Sequence, residues 1–436
     1  MLDSLGPCID LEVLQKEKAW RKAIHRDQSK YNKHISALRS AAQAGDQVEA
    51  AKQTTWLLSS KSAKVVAVAQ LLRAGKELDV SSYDGVVALA NMVTPLEPMD
   101  EPAWVFAKEK TSKSGYRAIF EFGDRYRVAH RMLANVIEAQ TFTRKFQLFD
   151  RGVKKAIVRI LSQIDQGNVW LAELDIKDFY PSFTKEGLIE FLPVPSTAVE
   201  AALTGQKMVL KCGALPLLYP DTPSHLIKVA RRGLPQGAAS SPAVSHLCVS
   251  RLVMDTCDLE HLNNYEDNFF LLAKSKEELE ERIKRLVDAA SSLPGGHFTI
   301  SVKGIAHAGV GLDFLGHRIR LRYGKAGAEP SEENYLRLIS RLSDIEQNAG
   351  VYSPIDAKSQ AILLQACSDR LAVLQGWMSA FGTCDKHCDI WQHAEYLRND
   401  VEAEAAKLGY SLSNLPRPSA KAVMKLKRYF YYRWFG

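Results

Sequence analysis

The sequence predicts an α+β chain, strand-rich in its middle and helical at both ends. Three observations predict it. An apolar, β-prone run, Val169-Trp170-Leu171-Ala172, leads into Leu174-Asp175-Ile176-Lys177-Asp178 and stops at Phe179-Tyr180-Pro181-Ser182, which places Asp175 at a strand end. Further on, Asn264-Tyr265-Glu266-Asp267-Asn268-Phe269-Phe270-Leu271-Leu272 reads strand, polar turn, strand, and so a β-hairpin with acids at its tip. On either side, apolar residues recur at helical steps.

Taken in order, residues 11–38 carry Val13, Trp20, Ile24, Tyr31, Ile35 and Leu38 with Lys16, Lys18, Arg21, Lys22, Arg26, Lys30 and Lys33 between them. That is an amphipathic helix whose cationic face is either solvated or in contact with RNA or a partner. After the Gly45-Asp46 break, residues 47–74 read as a second helical stretch, and the prolines at 95, 98 and 102 end this helical region. Lys108 to Phe120 is a basic, hairpin-like run in which Lys113 and Arg117 flank Gly115 and can lay cations on a triphosphate. Residues 124–164 read as basic-faced helices.

Between 184 and 231, the proline-rich Leu192 to Pro195 and the irregular Pro216 to Pro223 look like insertions. Arg232 to Pro242 is a tight glycine-proline turn opening a small-residue helix. Ser275-Lys276-Glu277-Glu278 is a capping box that starts a helix to about Ala290, and Pro294-Gly295-Gly296 turns the chain into an alternating strand, Phe298 to Lys303. From about 326 the pattern is helical again, through 356–378 and 391–408. The chain ends in Lys421, Lys425, Lys427, Arg428 and Arg433 interleaved with aromatics, a tail suited to phosphates and bases or to docking on its own core or a neighbouring subunit.

Composition bounds the class. With 436 residues and 46% hydrophobic content the chain can build two or three cores. No run of about eighteen apolar residues and no basic-then-apolar leader appears, so the expectation is a soluble, cytoplasmic protein with no membrane partner. Seven scattered cysteines argue against a disulfide framework, and a net charge of +7 suits a polyanionic partner.

Two separated carboxylates at strand ends, Asp175 and Asp267, make a hard-cation site, for which Mg²⁺ is the usual occupant where a phosphate supplies further oxygens. In order and spacing, Asp175 to Ser182, Gly233 to Pro242 and Tyr265 to Asn268 resemble the palm motifs of reverse transcriptases, and Phe314-Leu315-Gly316 resembles their primer-grip turn. "Asp-Ile-Lys-Asp-Phe-Tyr-Pro-Ser" and "Gly-Leu-Pro-Gln-Gly" look most like bacterial retron, abortive-infection and other defence-associated enzymes. The resemblance spans roughly residues 105 to 320. It implies a right-hand polymerase: residues 1–102 a helical N-terminal extension, 103–325 fingers and palm with an antiparallel sheet, and 326–436 a helical thumb and basic-aromatic tail. It also implies DNA synthesis from dNTPs with two Mg²⁺ ions, or Mn²⁺, on a structured or non-coding RNA, with a partner protein or a second copy as further partner.

Site roles follow from the same resemblance. Asp175 and Asp267 hold both cations, with the Ile176 carbonyl and the Asn268 amide as further oxygens. Arg117 and Lys113 grip the triphosphate. Tyr180 sits under the sugar and excludes a 2′-hydroxyl, while Gln236 and Gly237 line the nucleotide and template side and Glu266 stands beside the primer end. Lys303 falls where a strand lysine protonates the leaving pyrophosphate.

The departures are as informative. Asn268 stands where the family has a second aspartate, Glu266 where it has a small residue, His246 where it has asparagine, and Asn264 where many relatives have arginine. Besides templated synthesis they leave open synthesis without a template, primed in one version from Tyr429, Tyr431 or Tyr432, and a catalytically silent RNA-binding scaffold. Cys384, His387, Cys388 and His393 lie within one stretch, but structural zinc draws ligands from two separated knuckles, and ordinary core and surface side chains are the better reading.

Overall fold

The computed structural model describes residues 11–76, 78–80, 82–110, 115–350, 356–411, 415–416 and 418–419, with side chains from residue 22 onward except that of residue 150. Lys113 and the basic-aromatic tail from 421 lie outside the described residues. Among the described residues helices and three sheets alternate, and the chain forms two compact units, each assembled from separated stretches. The first comprises residues 1–144, 176–253 and 288–299; the second comprises 145–175, 254–287 and 300–436.

In the first unit the helices Leu11–Ala44, Gln47–Ser59, Lys61–Arg73, Tyr83–Met92 and Asp124–Ala139 pack on one another. Leu38, Leu57, Val65, Val68, Leu133 and Ile137 are buried, as their spacing requires. The single helix expected over 47–74 is two. Ser60 adopts an extended conformation, its N–H closes the first helix on the Trp56 carbonyl, and its side chain accepts from the Ala63 N–H to start the second. Glu101 caps Asp124–Ala139 from outside, its carboxylate accepting from the N–H groups of Arg125 and Tyr126.

The described residues on either side of Lys113 form an antiparallel pair, Pro102–Glu109 with Tyr116–Phe122, and the Lys110 N–H donates to the Gly115 carbonyl at 2.9 Å. A third strand, Val209–Cys212, joins Pro102–Glu109 in parallel. This strand lies between the two stretches expected as insertions, Leu192 to Pro195 and Pro216 to Pro223, which are themselves flanked or overlapped by the helices Lys185–Phe191 and Pro223–Ala230. Four residues are too few to show alternation in the sequence.

The second unit is built on a four-stranded sheet in the order Leu262–Tyr265, Asn268–Ala273, Trp170–Ile176, Ile300–His307. Its register is fixed by apolar side chains on Trp170–Ile176 and Asn268–Ala273: Leu174 opposes Phe269 and Ala172 opposes Leu271. One core joins Ile157, Ile160 and Ile164 of the helix Gly152–Asp165 to Phe270, Phe314, Trp377 and Trp391. The segment from 326, expected to be helical at once, begins with a strand, Lys325–Pro330, paired antiparallel with His317–Arg322. Ser331 then caps the helix Glu332–Ala349, and Ala357–Ala380 and Asp389–Lys407 follow. Arg370, buried on the middle helix, reaches Glu346 and Glu404 on the other two at 2.8 Å each. No described helix is long and apolar enough to cross a membrane.

Candidate active site

In the second unit Tyr265 pairs with Asn268, so Glu266 and Asp267 alone form the hairpin turn. Across the neighbouring pair Asp175 is opposite Asn268, which brings the strand-end acid to the hairpin acid. Glu266 sits in the left-handed region at φ 55°, which a side-chain-bearing residue enters only when its surroundings hold it. The brace is Asn264. Buried, it donates from Nδ2 to the carbonyls of Glu266 at 2.9 Å and of Asn268 at 3.1 Å. Sequence reading marks Asn264 only as a departure and misses this role, for which asparagines at 264 and 268 flanking the turn are the one available signal.

Lys303 lies among these groups. Its Nζ is 3.1 Å from Asp175 Oδ2 and donates to Asn268 Oδ1 at 3.1 Å, while Asn268 Nδ2 donates to Asp267 Oδ1 at 2.8 Å. Asp175 Oδ1 is buried with no hydrogen-bond partner. A carboxylate oxygen so placed is an open position for a cation. Among the described residues no three His, Cys, Asp or Glu side chains cluster as a complete metal cage. Two carboxylates and an amide oxygen instead fit Mg²⁺, which takes one or two protein carboxylates and completes its shell with water and substrate phosphate.

Two more acids belong to this environment. Burial, and then the neighbouring Asp267 charge, push the Glu266 carboxyl up to about 7. Glu173, two residues before Asp175 on the same strand, is also raised, first by burial; Lys303 pulls it down, and Asp313 and Asp175 push it up. The period of two that puts Glu173 and Asp175 on one face is the sequence signal for it, and it is absent from the motif-based site.

The first unit positions a different set. Gln236 bridges to Ile119 in parallel, with the Phe120 N–H donating to the Gln236 carbonyl at 2.8 Å, so the glycine-proline turn is seated on the strand that carries Arg117. Arg117 is exposed opposite Lys108. The Leu234 N–H donates to the Tyr180 carbonyl at 2.9 Å, which ties the same turn to the half-buried Tyr180. Gly237 has φ 111°, and a Cβ there would lie 2.6 Å from the Phe120 carbonyl oxygen. Asp178, at φ 46°, pairs with Lys110 at 3.5 Å, and His246 bonds Thr143 at 3.2 Å. Ile176 is buried.

Gly233 is the tightest of these positions. At φ 65° it would put a Cβ 1.9 Å from the Tyr180 carbonyl oxygen. Gly233→Ala is expected to destabilise the protein by about 3 kcal/mol, combining left-handed strain with a backbone clash. Gly45→Ala, at φ 73° with open space around it, is expected to cost only about 1 kcal/mol. Denaturant midpoints of the two variants check the difference.

Phe314, Leu315 and Gly316 also fold as a tight turn. Phe314 pairs with His317, and the intervening Leu315 and Gly316 have φ 49° and 80°. Phe314 is core, its ring 4.9 Å from that of Phe270. His317 is buried and its Nδ1 bonds the Leu315 carbonyl at 3.0 Å; burial brings its pKa down to about 4, against a smaller upward pull from that carbonyl. The neutral ring is favoured by folding, so this contribution is intact above pH 6.5 and is lost as pH falls toward 4. Roughly 2 kcal/mol should disappear between about pH 6.5 and about pH 5. His317→Asn, which keeps a donor near Nδ1, is expected to flatten that part of the stability profile in thermal unfolding at stepped pH.

Cys384 and Cys388 are buried with thiols pushed up by burial, His387 is exposed, and His393 bonds the Tyr335 hydroxyl.

Residues 107–319 match the family model of the reverse transcriptase (RNA-dependent DNA polymerase). No curated protein matches the chain. Among solved structures, the Sicinivirus 3Dpol RNA dependent RNA polymerase is similar over 77% of this chain and 69% of its own, at 12% identity and a TM-score of 0.36. The family match covers the carboxylate hairpin, the turn at 233–237 and the strand bearing Arg117. Residues 107–319 thus carry a reverse transcriptase domain, and the chain is an RNA-directed DNA polymerase of the nucleotidyltransferase class.

Proposed function

We propose that the chain extends DNA from dNTPs on a bound structured or non-coding RNA, with Asp175 and Asp267 as the catalytic acids. The observation that carries this is the register of Asp175 against Asn268 beside Asp267, with Asp175 Oδ1 buried and unsatisfied. When bound, Mg²⁺ or Mn²⁺ supplies charge neutralisation and makes a primer 3′-hydroxyl more acidic. The two carboxylates hold the ions, with the Ile176 carbonyl and the Asn268 amide as further oxygens. Lys303, already hydrogen-bonded in this cluster, hands a proton to the departing pyrophosphate.

Arg117 and Lys113 pair with the triphosphate. Tyr180 bars a ribose 2′-hydroxyl, and Gln236 and Gly237 let backbone and amide approach the nucleotide and template. The turn at Phe314-Leu315-Gly316 steadies the primer end. In this reading residues 1–102 are a helical extension, 103–325 fingers and palm of a right-hand polymerase, and 326–436 a thumb and tail available to a partner protein or second copy. A cytoplasmic role in bacterial anti-phage defence completes the proposal and rests on the motif resemblance.

One observation favours a second reading, synthesis with little or no template. Glu266, held in a left-handed turn with its carboxyl pushed up to about 7, stands at the hairpin tip where the family has a small residue. The experiment is dNTP incorporation with Mg²⁺, each dNTP alone and all together, on protein before and after ribonuclease treatment. Product lost with the RNA supports templated synthesis. Product that persists with restricted dNTP choice replaces it with the second reading, and no product under any condition overturns both.

A further inference from the structure

The strands His317–Arg322 and Lys325–Pro330 pair with Arg322 opposite Lys325, leaving Tyr323-Gly324 as a two-residue turn. Both turn residues have positive φ, 51° and 75°, the combination in which asparagine, aspartate or glycine ordinarily stands first. A tyrosine there is a poor choice for folding, since a bulky residue at positive φ is strained where asparagine is at ease. The ring gains nothing from the protein in return. Tyr323 is fully exposed, at 105% of its reference accessibility, and its side chain makes no hydrogen bond or ring contact among the described residues.

The surroundings are cationic. Arg320 and Arg322 share one carboxylate, that of Glu329, and Arg322 is nearly half exposed at 48%. Lys325, across from Arg322, is exposed and has no ion pair among the described residues. Between 313 and 330 four cations stand against two acids.

An unstacked aromatic at the tip of a cationic hairpin, held in a backbone state that its own side chain disfavours, fits a ligand with flat faces and regularly spaced negative charge. We propose that the tip is a contact for single-stranded nucleic acid. Tyr323 stacks on an unpaired base, and Arg322 and Lys325 take the phosphates on either side. A duplex would offer the cations its phosphates but would give the ring no free face. The inference rests on the polymerase reading for the source of the strand, template or product.

The test is fluorescence anisotropy of a short fluorescein-labelled adenylate strand, as RNA and as DNA, with the full chain at fixed low salt. Tyr323→Asn replaces the ring with a residue that the turn prefers, so its unfolding temperature should not fall, while strand affinity should drop about fivefold or more. Tyr323→Trp should retain affinity, with the fluorescence of the introduced indole quenched on binding. Wild-type affinity in Tyr323→Asn, or an equal drop for a blunt duplex of the same length, overturns the proposal. So does indole fluorescence in Tyr323→Trp that stays unquenched when the strand binds, as expected if the tip docks on protein. Failure of the polymerase reading would show separately, as absent dNTP incorporation by the wild-type chain.

Discussion

Asp267→Asn should reduce dNTP incorporation about 10³-fold, a loss of about 4 kcal/mol of transition-state stabilisation. The size follows from how little charge the cluster holds. Asn268 already replaces one carboxylate, and Lys303 offsets most of Asp175 through the 3.1 Å ion pair. Removing the Asp267 charge leaves Asp175, offset by Lys303, and the partly ionised Glu266 to attract divalent ions. The fold has little reason to respond, because the amide oxygen introduced by the substitution could still accept the hydrogen bond that Asp267 Oδ1 takes from Asn268. Single-turnover incorporation and an unfolding curve on the same preparation check both halves. Activity above about a tenth of wild type would mean that the ions are held elsewhere.

The second large effect has opposite signs in two measurements. Lys303 donates into the same oxygens that a cation would use, Asp175 Oδ2 and Asn268 Oδ1. In the proposed mechanism it is an internal competitor for them as well as a proton source. Lys303→Met keeps the stem and removes the charge, so Mn²⁺ binding to the protein alone should tighten about tenfold, which is about 1.4 kcal/mol. Turnover should fall about 10²-fold for want of the general acid. Calorimetric titration with Mn²⁺ reads the first and incorporation at saturating metal reads the second. Unchanged metal affinity would place the ions away from Lys303.

The sequence carried the site motifs better than it carried the packing around them. Asp175 at a strand end and Glu266-Asp267 at a hairpin tip were legible because strands with one acid and a proline or polar stop have few other readings, and the register bears out that local placement. The helix stop before Pro95, the cap at Ser275 and the helices after 356 were legible for the same local reasons. What stayed hidden depends on partners far along the chain. Val209–Cys212 is a strand because Pro102–Glu109 offers it an edge, and nothing within its own four residues says so. Lys303 was named through the resemblance alone, and its place beside Asp175 depends on a strand order that its own neighbours do not show. Asn264 looked like a loss relative to arginine, when its work is to hold a strained turn.

The interleaving of the two units has a consequence for synthesis on the ribosome. The first unit takes residues from as late as 299, and the second takes its opening strand from before 176. At roughly 10 residues per second, the helices ahead of residue 144 wait about 15 seconds for the last piece of their own unit. The edge of Pro102–Glu109 that receives Val209–Cys212 is unpaired for part of that interval, and unpaired strand edges invite association with other chains. No single cut releases either unit by itself: a fragment ending at residue 299 would hold all of the first unit and an orphaned portion of the second.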